Sequence, residues 1–238
     1  MIYSVCGGRY SGDMRKIFFF FLICFASVAK SKDLDITVGL SDVAPFSYQE
    51  NGVIQGLHYD IMKQIEEKSG LLFRYEIYPH ARLAKALDNT SIDMTILFSE
   101  HCANSKGFEI QKDLYSLQPG LYVKKGVHKK LSELQIVLLR GTCTKLAEEI
   151  PTRDVYDVTN MEQAVRMLQE KHVDGFCGLG PVFRAALNDQ KISLKVTLLQ
   201  REKQKYTSVI CRRKNLPDQI KKKLDKAAQN LQFKIPEE

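Results

Sequence analysis

Apolar and polar positions along this chain switch between two periods. Ile36, Val38 and Leu40 alternate with Thr37 and Gly39, the two-residue period of a strand. Over 59–68, Ile61, Met62 and Ile65 share one side while Lys63, Glu66, Glu67 and Lys68 share the other, the spacing of an amphipathic helix. Gly70 supplies its stop. The pattern predicts a second strand over 72–78, a second helix over 81–87 and a third strand over 92–98. Residues 99–120 are polar and irregular, broken by Ser116, Pro119 and Gly120, and predict a connection. The alternation then resumes, with strands over 121–124, 136–139, 155–158, 173–177 and 208–211. Helices are predicted over 131–134, from 145, over 161–171 and 181–188, and as a cationic amphipathic segment over 217–231. This order predicts an α/β layered architecture with largely parallel sheets.

The N-terminus changes the picture. Arg15 and Lys16 precede an apolar run of about ten residues, followed by Ser27-Val28-Ala29. That is the pattern of an export signal cleaved near Ala29, with Met14 a second candidate start after Met1. The run is shorter than the roughly 20 residues that span a bilayer. Ile23 before Cys24 is not the small residue that lipid attachment wants. Cleavage would leave about 209 residues, enough for a sizeable core. It would lower the net charge from +7 to +5, because 1–29 carries Arg9, Arg15 and Lys16 against Asp13. The remaining basic clusters, 201–205 and 221–223, lack interleaved aromatic residues, so no nucleic-acid partner is expected.

Four cysteines lie beyond the signal: Cys102, Cys143, Cys177 and Cys211, at intervals of 41, 34 and 34 residues. No close pairing of the zinc-site kind exists, so no metal is expected. Free thiols and three disulfide connectivities stay open. Cys143 with Cys177 is the favoured single pair, at the ends of neighbouring predicted strands. Gly-x-Ser-x-Gly, His-Glu-x-x-His and phosphate-loop motifs are absent, and no cofactor is expected.

Three local motifs carry a resemblance: Pro45-Phe46, Gly56-Leu57-His58-Tyr59-Asp60 and Ser91-Ile92-Asp93, together with MEQAVRMLQEKHVDG over 161–175. The stretch 36–98 resembles the start of the family 3 periplasmic solute-binding proteins, the receptors of polar amino acid importers. The resemblance implies a two-lobed, type II-like fold with two crossover strands. Lobe 1 would cover 33–112 with 209–238, and lobe 2 would cover 117–204. It also implies a periplasmic monomer whose lobes close by hinge motion on a small-molecule ligand. The partner would be the membrane permease of an ABC importer.

In amino acid receptors of this family, an arginine after the third strand pairs with the α-carboxylate. An acid after the "VDA" strand takes the α-ammonium, and aromatic rings from a "YxPF" loop flank the side chain. Here 101–106 contains no arginine, 176–180 contains no carboxylate, and Val43 replaces the first aromatic. Other residues become candidate ligand contacts. In Tyr78-Pro79-His80-Ala81-Arg82, similar to a family variant "P-W-x-R", Arg82 could clamp a carboxylate bidentately and His80 takes the tryptophan position. Lys106 is the nearest cation to the missing arginine. Gly141-Thr142 opens a predicted helix, where free N–H groups favour an anion. Asp42 and Tyr48 lie on the first loop, and Ser99 and Glu100 end the third strand. Asp60 and Asp93 are expected to order structure.

With Arg82, Lys106 and Thr142 converging on one cleft, the expected ligand is a small polar solute, anionic or amino-acid-like. The expectation is a binding protein and not an enzyme. The alternatives are an orphan periplasmic sensor, or a dehydratase-like enzyme for which His80 and Glu100 are the only acid–base pair in view.

Overall fold

The computed structural model describes residues 35–87 and 92–236. The export signal expected over 1–29 lies outside them. In chain order the first elements are β1 (Ile36–Ser41), β2 (Tyr48–Glu50), β3 (Val53–Gln55), α1 (Leu57–Ser69), β4 (Phe73–Tyr78), α2 (His80–Ala86), β5 (Met94–Phe98), α3 (Ser99–Asn104) and β6 (Phe108–Leu117). The chain then builds β7 (Gly120–Lys124), a 3-10 turn (Leu131–Glu133), β8 (Gln135–Leu139), α4 (Thr144–Glu149), β9 (Asp154–Val158), α5 (Met161–Gln169), β10 (Gly175–Gly178), α6 (Gly180–Asp189) and β11 (Val196–Arg201). It returns through β12 (Tyr206–Arg213) and ends its regular structure with α7 (Asp218–Ala227).

These strands form two five-stranded sheets, ordered β4-β1-β5-β12-β6 and β11-β7-β10-β8-β9. The chain passes between them twice, from β6 to β7 and from β11 to β12. The expectation of largely parallel sheets holds for one side of each. β4, β1 and β5 run parallel, as do β10, β8 and β9. β12 and β6, and β7 and β11, are antiparallel additions at the side where the chain crosses. A strand arriving directly from the other sheet has no helical crossover to reverse it, so it pairs antiparallel.

Alternation sends strand side chains to opposite faces of each sheet. Ile36, Val38, Leu40, Met94, Ile96 and Ile210 pack with Ile61, Met62 and Ile65 of α1 and Leu224 of α7. On the other face, Leu97, Val209 and Cys211 meet Leu83 of α2 and Cys102 of α3. The second sheet divides likewise. Val137, Val158 and Phe176 face α5 and α6, while Ile136, Leu138 and Cys177 face Leu146 of α4.

Residues 99–120 are not the irregular connection that their polarity predicts. They contain α3 and the 10-residue β6, the longest strand among the described residues. β6 lies at a sheet edge, and its pairing with β12 shifts register twice, so the two-residue period is broken within the strand. β11, also at an edge and interrupted between Leu198 and Gln200, escapes sequence reading for the same reason. The polar turn at 49–52 is the tip of the β2–β3 hairpin, with Asn51 at φ 51° and Gly52 at φ 80°, the backbone that an Asn-Gly pair supplies.

The loop after β1 is joined to α1 through its backbone. Pro45 and Phe46 carbonyls accept from the Leu57 and His58 N–H groups at 3.2 and 2.6 Å, satisfying two donors of the helix's first turn. Gly56 allows the join: its φ is 108°, and a Cβ there would lie 2.7 Å from the Phe46 carbonyl oxygen. At the other end, Gly70 is left-handed at φ 65° and donates to the Glu66 carbonyl at 3.0 Å, the expected helix stop.

Asp93 and Asp174 hold equivalent places in the two sheets. Asp93 accepts the Thr37 N–H at 3.0 Å and lies 3.2 Å from the Arg213 guanidinium. Asp174 accepts the Gln135 N–H at 3.0 Å and pairs with Lys129 at 2.9 Å. Each carboxylate ties the entry of one parallel strand to the strand beside it, so Asp93 orders structure as the sequence led us to expect.

Gly56→Ala is expected to lower stability by about 1–3 kcal/mol, the strain of a non-glycine residue held in such a backbone. Gly52→Ala, at a positive φ but with open space where the Cβ would stand, is expected to cost less. Urea unfolding of the two variants checks the order.

Candidate functional site

The two sheets present their cleft-side ends to each other across a cavity of about 160 Å³. From the first sheet come Ser41, Phe98, Tyr115 and Ser208, and from the starts of α1 and α2 come His58 and His80. From the second come Leu139, the turn 141–145, Phe176, Gly178, Leu179 and Val182. Val182 on α6 is buried within the cluster that holds Phe46 and Ile96, so the two halves touch through apolar side chains.

The deep wall is an aromatic stack. The Phe46 ring lies 5.2 Å from His58 and 6.1 Å from Tyr115, centroid to centroid. His58 Nε2 and the Tyr115 hydroxyl are 2.5 Å apart. Burial pushes the His58 imidazole down to about 3, with His80 adding to the effect, so the ring is neutral at ordinary pH. Burial likewise lowers His80 to about 4, with His101 contributing. Nδ1 of each of these two imidazoles is buried and has no hydrogen-bond partner.

The rim carries charge. Glu100 on α3 and Lys145 on α4 pair across the cleft at 3.5 Å, both about half exposed. Gln204, in the returning crossover, donates to Glu100 at 2.6 Å and accepts from Lys145 at 2.9 Å. The Lys145 ammonium also lies 5.7 Å from the centroid of the Tyr206 ring, which packs against Phe98. One polar cluster thus joins both halves and the crossover between them.

Two disulfides lie behind this rim. Cys143 is bonded to Cys177, with Cα atoms 5.8 Å apart, and Cys102 to Cys211, with Cα atoms 5.9 Å apart. The first fixes the turn before α4 to β10, and the second fixes α3 to β12. Both segments that carry the Glu100–Lys145 pair are therefore cross-linked to a central strand.

Of the residues singled out from sequence, His80, Glu100 and Thr142 line the cleft. Arg82 is exposed on α2 and is not part of the lining. Lys106 is exposed and lines a separate groove with Arg213 and Lys214. The expected convergence of Arg82, Lys106 and Thr142 is therefore not formed. On a helix, Arg82 lies two positions beyond His80, which turns it about 200° away from the cleft. Lys106 follows the end of α3, past the cleft.

Thr142 is in place, but its N–H and hydroxyl both donate to the Leu139 carbonyl, at 2.9 and 2.7 Å, and are not free for an anion. α4 itself starts only at Thr144. Ser99, Tyr48 and Asp42 are also outside the lining. Ser99 begins α3, Tyr48 sits in the β2–β3 hairpin and Asp42 is exposed beyond β1.

Sequence reading passed over His58, Tyr115, Lys145, Tyr206 and Ser208. His58 did leave a signal. It shares the helix face of Ile61, Met62 and Ile65, and a polar residue on a buried face asks for a partner. The others arrive from segments far apart in the chain. Among the described residues, no cluster of three or more histidine, cysteine or carboxylate side chains could hold a metal ion. No described helix is long and apolar enough to cross a membrane.

Residues 36–234 match the profile of the bacterial extracellular solute-binding proteins, family 3. No curated protein sequence gives a significant match. Among solved structures, the substrate-binding protein of an amino acid ABC transporter is 20% identical with a TM-score of 0.66, covering 82% of this chain and 91% of its own. AbpA of Streptococcus pneumoniae, an amino acid ABC transporter substrate-binding protein bound to L-arginine, is 20% identical with a TM-score of 0.67, at 84% and 89% coverage. A histidine kinase sensor domain with similarity to periplasmic binding proteins is 13% identical with a TM-score of 0.68, at 84% and 90% coverage. At these identities the likeness concerns the two-lobed fold.

The buried His58 generates a pH prediction. Its imidazole binds a proton near pH 6.5 when the chain is unfolded but only near 3 when folded. Between those values the unfolded state holds more protons. Stability therefore falls as pH drops below 6.5, by up to about 1.4 kcal/mol per pH unit from this residue. Unfolding midpoints from pH 7.5 to 4.5 should decline, and more gently in His58→Gln. An equal slope in both proteins would exclude His58 as the cause.

Proposed function

Because the chain belongs to the bacterial extracellular solute-binding proteins of family 3, we propose that it is exported to the periplasm, cleaved near Ala29, and works there as the receptor of an ABC importer. It captures a small solute between its two lobes by hinge closure and presents the closed form to a membrane permease. The observation that carries this reading is the cleft, whose walls come from both sheets and whose rim is bridged by Glu100, Lys145 and Gln204.

The geometry suits capture. Only two connections join the lobes, so the lobes can move apart about them without disturbing either sheet. Closing brings Leu179 and Val182 against the first lobe's apolar wall and removes that surface from water, a favourable step of roughly 25 cal/mol per Å². The rim pair adds little free energy, since half-exposed ion pairs contribute about 0.2–1 kcal/mol. Its place at the mouth nonetheless makes it a latch that favours the closed form. The histidine kinase sensor domain of the same fold supports a second reading, in which the partner is a signalling protein and the cleft works alike.

Native mass spectrometry of the protein purified from its own host is expected to show one small molecule bound per chain and lost on denaturation. Restoring that molecule at a hundredfold over its Kd should stabilise the protein by about 2.7 kcal/mol. A chain that carries no small molecule, together with a radius of gyration unmoved by any extract of the host, would sink the receptor reading. Lys145→Ala is expected to weaken binding by no more than about fivefold, mainly through faster release. Stopped-flow dissociation measures it.

A further inference from the structure

The lining of the cleft separates into a charged rim and an uncharged interior. At the rim, Glu100 and Lys145 neutralise each other and stay in contact with water. Deeper in, the polar groups are hydroxyls and imidazoles among Phe46, Phe98, Phe176 and Leu179. Leu179, which follows β10, brings no charge to the cleft. The segment after β5 offers Glu100 and His101 to the cleft, and no arginine. A zwitterion placed here would have both charges desolvated against apolar walls, and Glu100 and Lys145 of the lining are already paired to each other. Burial of that kind is strongly unfavourable.

The interior asks for a hydrogen-bonding ligand nonetheless. Nδ1 of His58 and Nδ1 of His80 are buried and unpartnered, on two side chains that line the cleft. A buried polar atom left without a partner is destabilising, and a ligand that supplies the partner removes that cost. Each neutral imidazole nitrogen is a donor or an acceptor according to its tautomer. A ligand that offers both kinds of group, as an amide does, meets either arrangement. Size sets the rest: a cavity of roughly 150 Å³ admits one benzene-sized ring, and this one is about 160 Å³. Aromatic walls favour a flat ring over an aliphatic chain of equal volume.

We propose that the cleft takes an uncharged, single-ring solute bearing an amide or lactam group, its ring between the aromatic side chains and its polar edge on His58 and His80. The ligand class rests on the receptor reading above, but that reading can stand without it.

Calorimetry and thermal unfolding with nicotinamide and uracil as neutral ring probes, L-arginine and L-glutamine as zwitterions and succinate as an anion test the class. Stabilisation by at least one neutral ring and by none of the charged compounds is the expected result. His80→Ala should then lose affinity by about tenfold, the loss of a buried hydrogen bond, while its far-UV circular dichroism stays that of the parent. Because His80 starts a helix and is only partly buried, this variant is preferred to one at His58. A neutral-ring response that His80→Ala leaves unchanged would overturn the assigned polar contact. Stabilisation by arginine, glutamine or succinate would overturn the ligand class and leave the receptor reading intact. Silence across all five probes would also overturn the class, and the molecule found by native mass spectrometry then decides the receptor reading separately.

Discussion

The insertion of β12 between β5 and β6 is the constraint on which the rest of this molecule depends. The chain leaves the first sheet at the end of β6, builds a second sheet, and must then return to the interior of the first. Val209, Ile210 and Cys211 at the centre of β12 are fully buried, and they face both layers of helices. The same strand carries Arg212 to Glu109 at 2.8 Å, Arg213 to Asp93 and Cys211 to Cys102. At its other end it delivers Tyr206 and Ser208 to the cleft. The core of the first lobe, its disulfide and one wall of the site are thus assembled by one late segment. The first lobe cannot be complete until almost the whole chain has folded.

A rigid frame of this kind gives the cleft a sharp division of polarity. Short segments carry the rim charges, and each is cross-linked to a buried strand, so Glu100 and Lys145 meet without ordering long loops at the moment of contact. Behind them lie aromatic rings and neutral imidazoles. Charge in water is weakly coupled and inexpensive to hold, while charge in an apolar interior is not. On the proposed reading, the arrangement closes at little cost in charge and discriminates by what it leaves uncompensated inside.

Much of the frame was legible from the hydrophobic pattern. β1, α1, β5 and α5 have strong periodicity, and their local motifs place the Pro45-Phe46 loop over the start of α1. What was missed lies mainly in the antiparallel edge strands, where register shifts spoil the period and one face is open to water. The site was less legible than the fold. His80 and Glu100 are cleft residues, but Arg82 and Lys106, singled out for their charge, lie outside it. Position on a motif said that a cation was near the cleft. The turn of a helix by two residues, or two residues beyond the end of α3, decided that it faced elsewhere.

The sequence by itself determined the alternation of strands and helices, the family-like loop before α1, and the lack of an arginine in 101–106 and of a carboxylate in 176–180. Only the tertiary structure decided which side chains share the cleft, that Cys102 pairs with Cys211 across 109 residues, and that Glu100 meets Lys145. The reason is physical. Periodicity and turn chemistry act between neighbours along the chain, whereas the polarity of a cleft is set by groups brought together from both lobes, and nothing local records which of them will be paired, buried or left free.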